Sequence, residues 1–467
     1  MKSFEGSDDL YMNILEGYAI CYPQLTHPLM SEKDDLKRKY ISLLKSYADN
    51  FCPNDQVILY RLKTFSMALF GITELSDVFL LDENISKLAG TIMKTRFTPF
   101  RLFSYRYLFL YDCIFIMAAN DEALGERICN ELKSTVNSHY HYTLDSMKKK
   151  MYLGDPDFAS KKLITDEMVV EWNRVRTYIN SHNRNITFTA TMSAGKSTLI
   201  NAIIGKELSY AKMAACTATV MKFITSPTQG THCNIFNDDQ IKQLQAECDV
   251  REFTKGREVP CNINSFFLST LSSQKVTLID TPGVNSSQNP KHKKITRIEL
   301  TSESTDILVY VIPVENYGSE GDFEHLSYIK KKVSYNRIVF VVNMMDSCDF
   351  EDDSVSEIVT NIKEHLTDIG FEEPIVCPIS AKAGMLIKQA LYGSELSAND
   401  KKACAAYVGM FQNKELELGI LYPSVEKITS KNDTTWLEID TDKIWSAYIN
   451  TGLPGFETLL LSLTKEG

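Results

Sequence analysis

Apolar positions follow two regimes along the chain. Over roughly the first 180 residues they recur at spacings of three and four, the period of one helix face. Leu36, Tyr40, Leu43, Leu44, Tyr47 and Phe51 form one stripe, Leu124, Ile128, Leu132 and Val136 a second, and Met168, Trp172, Val175 and Ile179 a third. Each stripe must be buried on a neighbour, so residues 1–183 are expected to be an all-helical domain, a bundle or stalk without catalytic chemistry of its own. The most hydrophobic stretch is 105–120, interrupted by Asp112. It falls short of the ~18 apolar residues a membrane span needs and is expected to be a buried helix. Lys148-Lys149-Lys150 is expected to be a solvated charged face.

From Ile186 onward short β-branched runs alternate with helical segments. Strands are expected at 186–192, 219–224, 276–280, 306–313, 337–343 and 374–380, with helices at 199–204, 321–333 and 354–369 among them. Apolar strands alternating with helices make an α/β fold, a mostly parallel sheet covered on both faces. The second domain is expected over 184–467, with a mainly helical, polar insertion at about 388–445 and a last helix at 455–463. Ligands on such sheets bind at the carboxyl ends of the strands.

Composition narrows this picture little. The 467 residues suit roughly two to four domains, and a formal net charge of -10 gives no support to nucleic-acid binding. The cysteines are eleven and scattered singly, from Cys21 to Cys404, with no Cys-x-x-Cys pair. Reduced structural thiols are therefore expected, not a disulfide framework or a zinc site. The first residues, Met1-Lys2-Ser3-Phe4-Glu5, show no charged-then-apolar signal pattern.

The chemistry-bearing segments fall at strand ends. Ala190-Thr191-Met192-Ser193-Ala194-Gly195-Lys196-Ser197-Thr198 follows the phosphate-loop pattern between a strand and a helix, with a small residue, Ala190, in place of the first glycine. Backbone N–H groups of Ser193, Ala194, Gly195, Lys196, Ser197 and Thr198 would cradle phosphates at a helix N-terminus. Lys196 would reach the β- and γ-phosphates, and the Ser197 hydroxyl would ligate Mg²⁺. Asp280-Thr281-Pro282-Gly283 follows the next predicted strand; Asp280 can hold Mg²⁺ and the Gly283 N–H can sense the γ-phosphate.

Asn343-Met344-Met345-Asp346 follows the strand at 337–343. A carboxylate only accepts hydrogen bonds, so Asp346 fits the N1–H and amino donors of guanine, which adenine does not match. Asn343 would tie this base loop to the phosphate loop. The usual pattern is N-K-x-D; here Met344 replaces the lysine, whose stem covers the base plane, a cover methionine supplies in part. Ser380-Ala381-Lys382 would offer a backbone N–H to the guanine oxygen, with the Lys382 stem near the base. Within Ala215-Cys216-Thr217-Ala218-Thr219 a switch threonine is needed to close Mg²⁺ coordination; Thr217 is chosen, with Thr219 the alternative and the start of a strand.

On these residues the chain resembles the dynamin superfamily of large GTPases, in its bacterial branch. The resemblance rests on Ser193 to Gly205, on Ala215 to Thr219 and on Asp280 to Gly283, and covers about 184 to 385. It implies a GTP- or GDP-binding, Mg²⁺-dependent enzyme that turns GTP over slowly alone and faster when two GTPase domains face each other. It also implies self-assembly, as a homodimer or with a related dynamin-like partner, and a cytoplasmic protein that works peripherally at the inner membrane face. Ser193 matches the family's phosphate-loop serine beside a charge-compensating K⁺ or Na⁺, so the catalytic set is Lys196, Ser193 and Thr217, and the metal set Ser197, Thr217 and Asp280. The dynamin water-positioning glutamine is Met192 here, and the residue after D-x-x-G, a glutamine in small GTPases, is Val284. Two alternatives follow: a non-mechanical switch or assembly factor of the ribosome-assembly type, and a GTP-binding scaffold of low turnover. The acidic balance argues against an RNA-binding role.

Overall fold

A computed structural model of the chain describes residues 27–70, 104–160, 163–209, 220–226, 233–237, 240–244, 261–284, 290–301, 305–333, 337–348, 354–393, 396–425, 434–437 and 439–465. The chain divides into two compact units, Met1–Ser181 and His182–Gly467.

The first unit is helical among its described residues: α1 Asp34–Phe51, α2 Gln56–Phe70, α3 Arg106–Met117, α4 Glu122–Thr135, α5 His141–Leu153 and α6 Asp166–Asn180. The predicted stripes face one core, where Tyr40, Tyr47, Leu132, Val175 and Trp172 are buried. Helix α3 is buried along its whole length, from Tyr107 to Met117, which is why its sequence is apolar all round. Its one acid, Asp112, accepts from the Tyr40 hydroxyl at 2.5 Å and faces His27 Nε2 at 3.3 Å. A buried carboxylate needs such partners. Asp121 and Thr165 cap α4 and α6 by accepting from Leu124 N and Met168 N, as short polar residues do at helix starts. The basic triplet departs from expectation. Lys148 is buried and paired with Glu126, because position 148 lies on the inward side of α5.

The second unit is built on a nine-stranded sheet among the described residues, in the order β4-β3-β5-β2-β6-β1-β7-β8-β9. The six predicted strands are observed as β1 Arg184–Ala190, β2 Met221–Thr225, β6 Val276–Asp280, β7 Ile307–Pro313, β8 Ile338–Asn343 and β9 Ile375–Pro378. Strands β6, β1, β7, β8 and β9 run parallel, and β2 pairs antiparallel with β6. Three further strands, β3 Cys233–Asn237, β4 Gln240–Leu244 and β5 Cys261–Ser265, extend that edge.

Helices α7 Lys196–Ile204, α8 Pro290–Leu300, α9 Glu320–Lys332, α10 Val355–Ile369, α11 Ala381–Tyr392, α12 Ala398–Met410, α13 Thr441–Asn450 and α14 Leu453–Lys465 complete the unit. The segment expected as a polar insertion is helical in α12 and α13, but it is part of the domain body. Cys404, Val408, Phe411, Leu416, Leu418, Ile444 and Tyr448 are buried in the same core as the sheet. Helix α7 is anchored at its far end by Lys388 of α11, whose ammonium donates to the carbonyls of Ala202 at 2.6 Å and Ile203 at 3.1 Å and pairs with the buried Glu457 of α14.

Candidate nucleotide site

The loops singled out in the sequence leave the carboxyl ends of β1, β6, β8 and β9, so parallel pairing delivers them to one edge of the sheet. Between β1 and α7, Ser193 and Gly195 take left-handed backbone angles, φ 64° and 80°. Alternating handedness of this kind turns successive N–H groups toward one concavity, an anion nest at a helix start. Glycine is required at 195 for a second reason: a Cβ there would stand 2.3 Å from Asn343 Nδ2.

Lys196, 8% exposed, pairs with Asp280, which is wholly buried. Ser197 Oγ donates to the same carboxylate at 3.2 Å and Ser209 Oγ at 2.6 Å. Burial lowers the Lys196 ammonium to about 7, and contact with the Asp280 carboxylate opposes that drop. Ser209 was not legible as a site residue. It is set by Asn201, whose Oδ1 accepts from the Ser209 N–H at 2.7 Å and whose Nδ2 donates to the Ser209 carbonyl at 2.8 Å.

The turn after β6 is pinned from three sides. Thr281 Oγ1 donates to the Phe188 carbonyl at 2.7 Å, Val284 N to the Ala190 carbonyl at 3.3 Å, and Thr296 Oγ1 to the Pro282 carbonyl at 2.7 Å. Gly283 lies under Met192: a Cβ on it would stand 3.3 Å from Met192 Cγ. Met192 is 48% exposed and Val284 is buried, so these two positions present hydrocarbon where a water-positioning amide was absent from the sequence.

Asn343 joins the remaining loops. Its Nδ2 donates to the Ala194 carbonyl at 3.2 Å, and its Oδ1 accepts from Ala381 N at 3.1 Å. Met344 is left-handed, φ 67°, and its methyl would lie 3.2 Å from a Cβ at Gly195, so its stem leans on the phosphate loop. Asp346, half-buried in the turn Met345–Ser347, accepts from Ser380 Oγ. Lys382 is half-buried in the first turn of α11, and Thr198 sits half-buried in α7. Thr217 and Thr219 are another matter: Thr217 and its neighbours at 215–219 lie outside the described residues. Among the described residues no group of three or more His, Cys, Asp or Glu side chains is arranged to hold a metal, and no helix is long and apolar enough to cross a membrane.

Residues 186–345 match the family model described as the Dynamin family. Over 116 residues the chain is 30% identical to sulfate adenylyltransferase subunit 1 of Aliarcobacter butzleri, covering 25% of this chain and 23% of that protein. Over 228 residues it is 26% identical to an uncharacterized protein in the xynA 3' region of Caldicellulosiruptor sp., covering 48% of this chain and 53% of that one. The chain thus spans about half the length of these curated relatives or less. Among solved structures it is similar to an oligomerised bacterial dynamin pair described as sensing and tethering membranes (15% identity, 83% of this chain, 60% of that chain, TM-score 0.34). It is also similar to a point variant of Aquifex aeolicus Era bound to GDP.AlF4- (16% identity, 43% of this chain, 51% of that chain, TM-score 0.27).

Proposed function

We propose, from the premise that this chain belongs to the dynamin superfamily of GTPases, that it binds GTP and GDP at the carboxyl edge of the sheet and hydrolyses GTP. The observation that carries this reading is the Asn343 bridge, which fastens the phosphate loop at Ala194 to the Ala381 loop. Phosphate cradle and base reader are thereby held as one site.

The roles follow from donor and acceptor chemistry. Ser193 to Thr198 offer backbone N–H groups and the α7 N-terminus to phosphate oxygens. Lys196 neutralises the β- and γ-phosphates, and Gly283 reads the γ-phosphate. Ser197 and Asp280, whose oxygens already converge, suit Mg²⁺, which is held by few protein oxygens and completed by phosphates and water. Thr217 is proposed to close that shell. Bound Mg²⁺ would neutralise charge on the transferring phosphoryl group. Asp346 accepts from the guanine edge, and Ser380, Ala381 and Lys382 border the base.

With hydrocarbon at Met192 and Val284, the domain lacks a side chain of its own there to orient water. We therefore read the active form as a dimer through GTPase domains, with itself or a related partner, in which Ser193 and a K⁺ or Na⁺ ion offset charge. We further propose, as the family resemblance implies, a cytoplasmic protein acting peripherally at a membrane. The same hydrocarbon favours a second reading, a GTP-binding scaffold of low turnover.

Light scattering in GDP, in a GTP analogue and in a transition-state mimic, with turnover followed against protein concentration, separates the two. A dimer in the mimic and a specific rate rising with concentration support the mechanoenzyme reading. A monomer throughout with negligible turnover supports the scaffold, and a high rate in the dilute monomer contradicts the dimer-activated mechanism.

A further inference from the structure

We propose that Ser209 is a positioning residue for the metal-holding acid: its hydroxyl clamps Asp280 Oδ2, so that Oδ1 is the oxygen offered to Mg²⁺ or to its bound water. The inference rests on the reading of Asp280 as a Mg²⁺ holder and assigns a role to a residue outside the motif loops.

The clamp is built from the phosphate-loop helix. Ser197 and Asn201 stand at i and i+4 of α7 and so share one face. Ser197 reaches the acid directly, its Oγ 3.2 Å from Asp280 Oδ2. Asn201 instead holds the chain that returns past the left-handed Gly205, φ 79°. Its Oδ1 accepts from Leu208 N at 3.0 Å and Ser209 N at 2.7 Å, and its Nδ2 donates to the Ser209 carbonyl at 2.8 Å. Both backbone groups of Ser209 are thus taken up by one side-chain amide. The Ser209 hydroxyl is left to donate to Asp280 Oδ2, at 2.6 Å. Asn201, Ser209 and Asp280 are all buried, where a hydrogen bond is stronger than in water.

The three donors around Asp280 divide by oxygen. Lys196 Nζ pairs with Oδ1, and the two hydroxyls converge on Oδ2. In the proposed site phosphates claim the ammonium, and Mg²⁺ claims a lone pair of Ser197 Oγ; neither claims Ser209. When Lys196 turns to phosphate, Oδ1 is released while Ser209 keeps Oδ2. The plane of the carboxylate is thereby retained, and the freed oxygen is the one left for the metal. Hydrogen-bond partners standing behind a metal ligand tune affinity in this way.

The test is equilibrium binding of a fluorescent GDP analogue to the full chain and to its Ser209→Ala variant, across Mg²⁺ concentrations and in EDTA. The expected result is a half-saturating Mg²⁺ concentration raised about tenfold, with affinity in EDTA within about twofold of the unaltered chain. Ser209→Cys, of nearly the same size but only a weak donor, carries the same expectation where the alanine variant does not fold. An unchanged Mg²⁺ requirement in a variant that binds GDP, or equal losses with Mg²⁺ and in EDTA, makes Ser209 a packing residue and overturns the proposal. If GDP binding by the unaltered chain does not respond to Mg²⁺, the metal reading fails first and this inference falls with it.

Discussion

The Lys196 ammonium and the Asp280 carboxylate form a buried ion pair at the junction of β6 and α7, with Ser197 and Ser209 donating to the same acid at 3.2 and 2.6 Å. The lysine that would meet phosphate is also the counter-charge of the acid that would hold Mg²⁺. Lys196→Ala leaves Asp280 buried with hydroxyl donors alone, and removing one member of a buried pair costs about 3–5 kcal/mol. The variant is expected to unfold at lower urea concentration and to bind GDP at least about a hundredfold more weakly. Paired urea and fluorescent-nucleotide titrations check both; unchanged stability would contradict the ion pair as a structural element.

Asn343 makes two hydrogen bonds that no neighbour duplicates among the described contacts, to Ala194 and Ala381. At about 1 kcal/mol each, Asn343→Ala should weaken GDP binding by roughly thirtyfold. Its effect on phosphate analogues without a base should be much smaller, since it separates loops instead of removing a phosphate ligand. Calorimetric titration of GDP and pyrophosphate distinguishes the two effects.

Much of this architecture could be read in advance, for a physical reason. Strands such as Ile307–Pro313 and Ile338–Asn343 are buried on both faces, so they are continuous apolar runs that only a covered parallel sheet explains. The motif loops follow them directly and take their meaning from that position. The strands Cys233–Asn237, Gln240–Leu244 and Cys261–Ser265 were missed because they are short and carry Asn and Lys, residues depleted in strands. Helix α12 looked polar because its buried stripe, Cys404, Val408 and Phe411, is diluted by alanine and flanking lysines. Lys148 and Lys388 show the same limit: a lysine's partner, Glu126 or Glu457, comes from another helix, and spacing along the chain does not reveal it. Ser209 reaches the site through folding alone and belongs to no motif.

His325 gives the domain an acid-sensitive spot. It is buried on α9, its Nε2 2.9 Å from Thr189 Oγ1. Burial first, then the charges of Arg297 and Lys293, lower it from 6.5 to about 4. Because its folded value lies below its unfolded one, the unfolded chain takes up the proton first as pH falls. The stability this residue preserves is present above 6.5 and drains away between 6.5 and about 4, at about 1.4 kcal/mol per pH unit. Urea unfolding across that window should fall more steeply for the unaltered protein than for His325→Gln. Parallel slopes would contradict this assignment.

The pair Lys388–Glu457 ties α11 and α14 to the end of the phosphate-loop helix. Lys388→Met is expected to destabilise the fold by about 3 kcal/mol or more. Adding Glu457→Leu removes the stranded acid and should recover part of that loss. A double-mutant cycle by chemical denaturation is expected to give a coupling of at least about 1.5 kcal/mol; additive losses would mean that the two side chains act independently.

The central claim is that β1, β6, β8 and β9 present one guanine-nucleotide site. Equilibrium titration of the purified chain with GDP, GTP and ATP in the presence of Mg²⁺ tests it most directly, with Asp346→Asn titrated with XDP alongside. The account predicts saturable GDP and GTP binding, ATP at least about a hundredfold weaker, and a shift toward XDP in the variant, where an amide donor meets the xanthine 2-oxygen. Equal affinity for ATP and GTP, or no guanine-nucleotide binding by the folded protein, would contradict it.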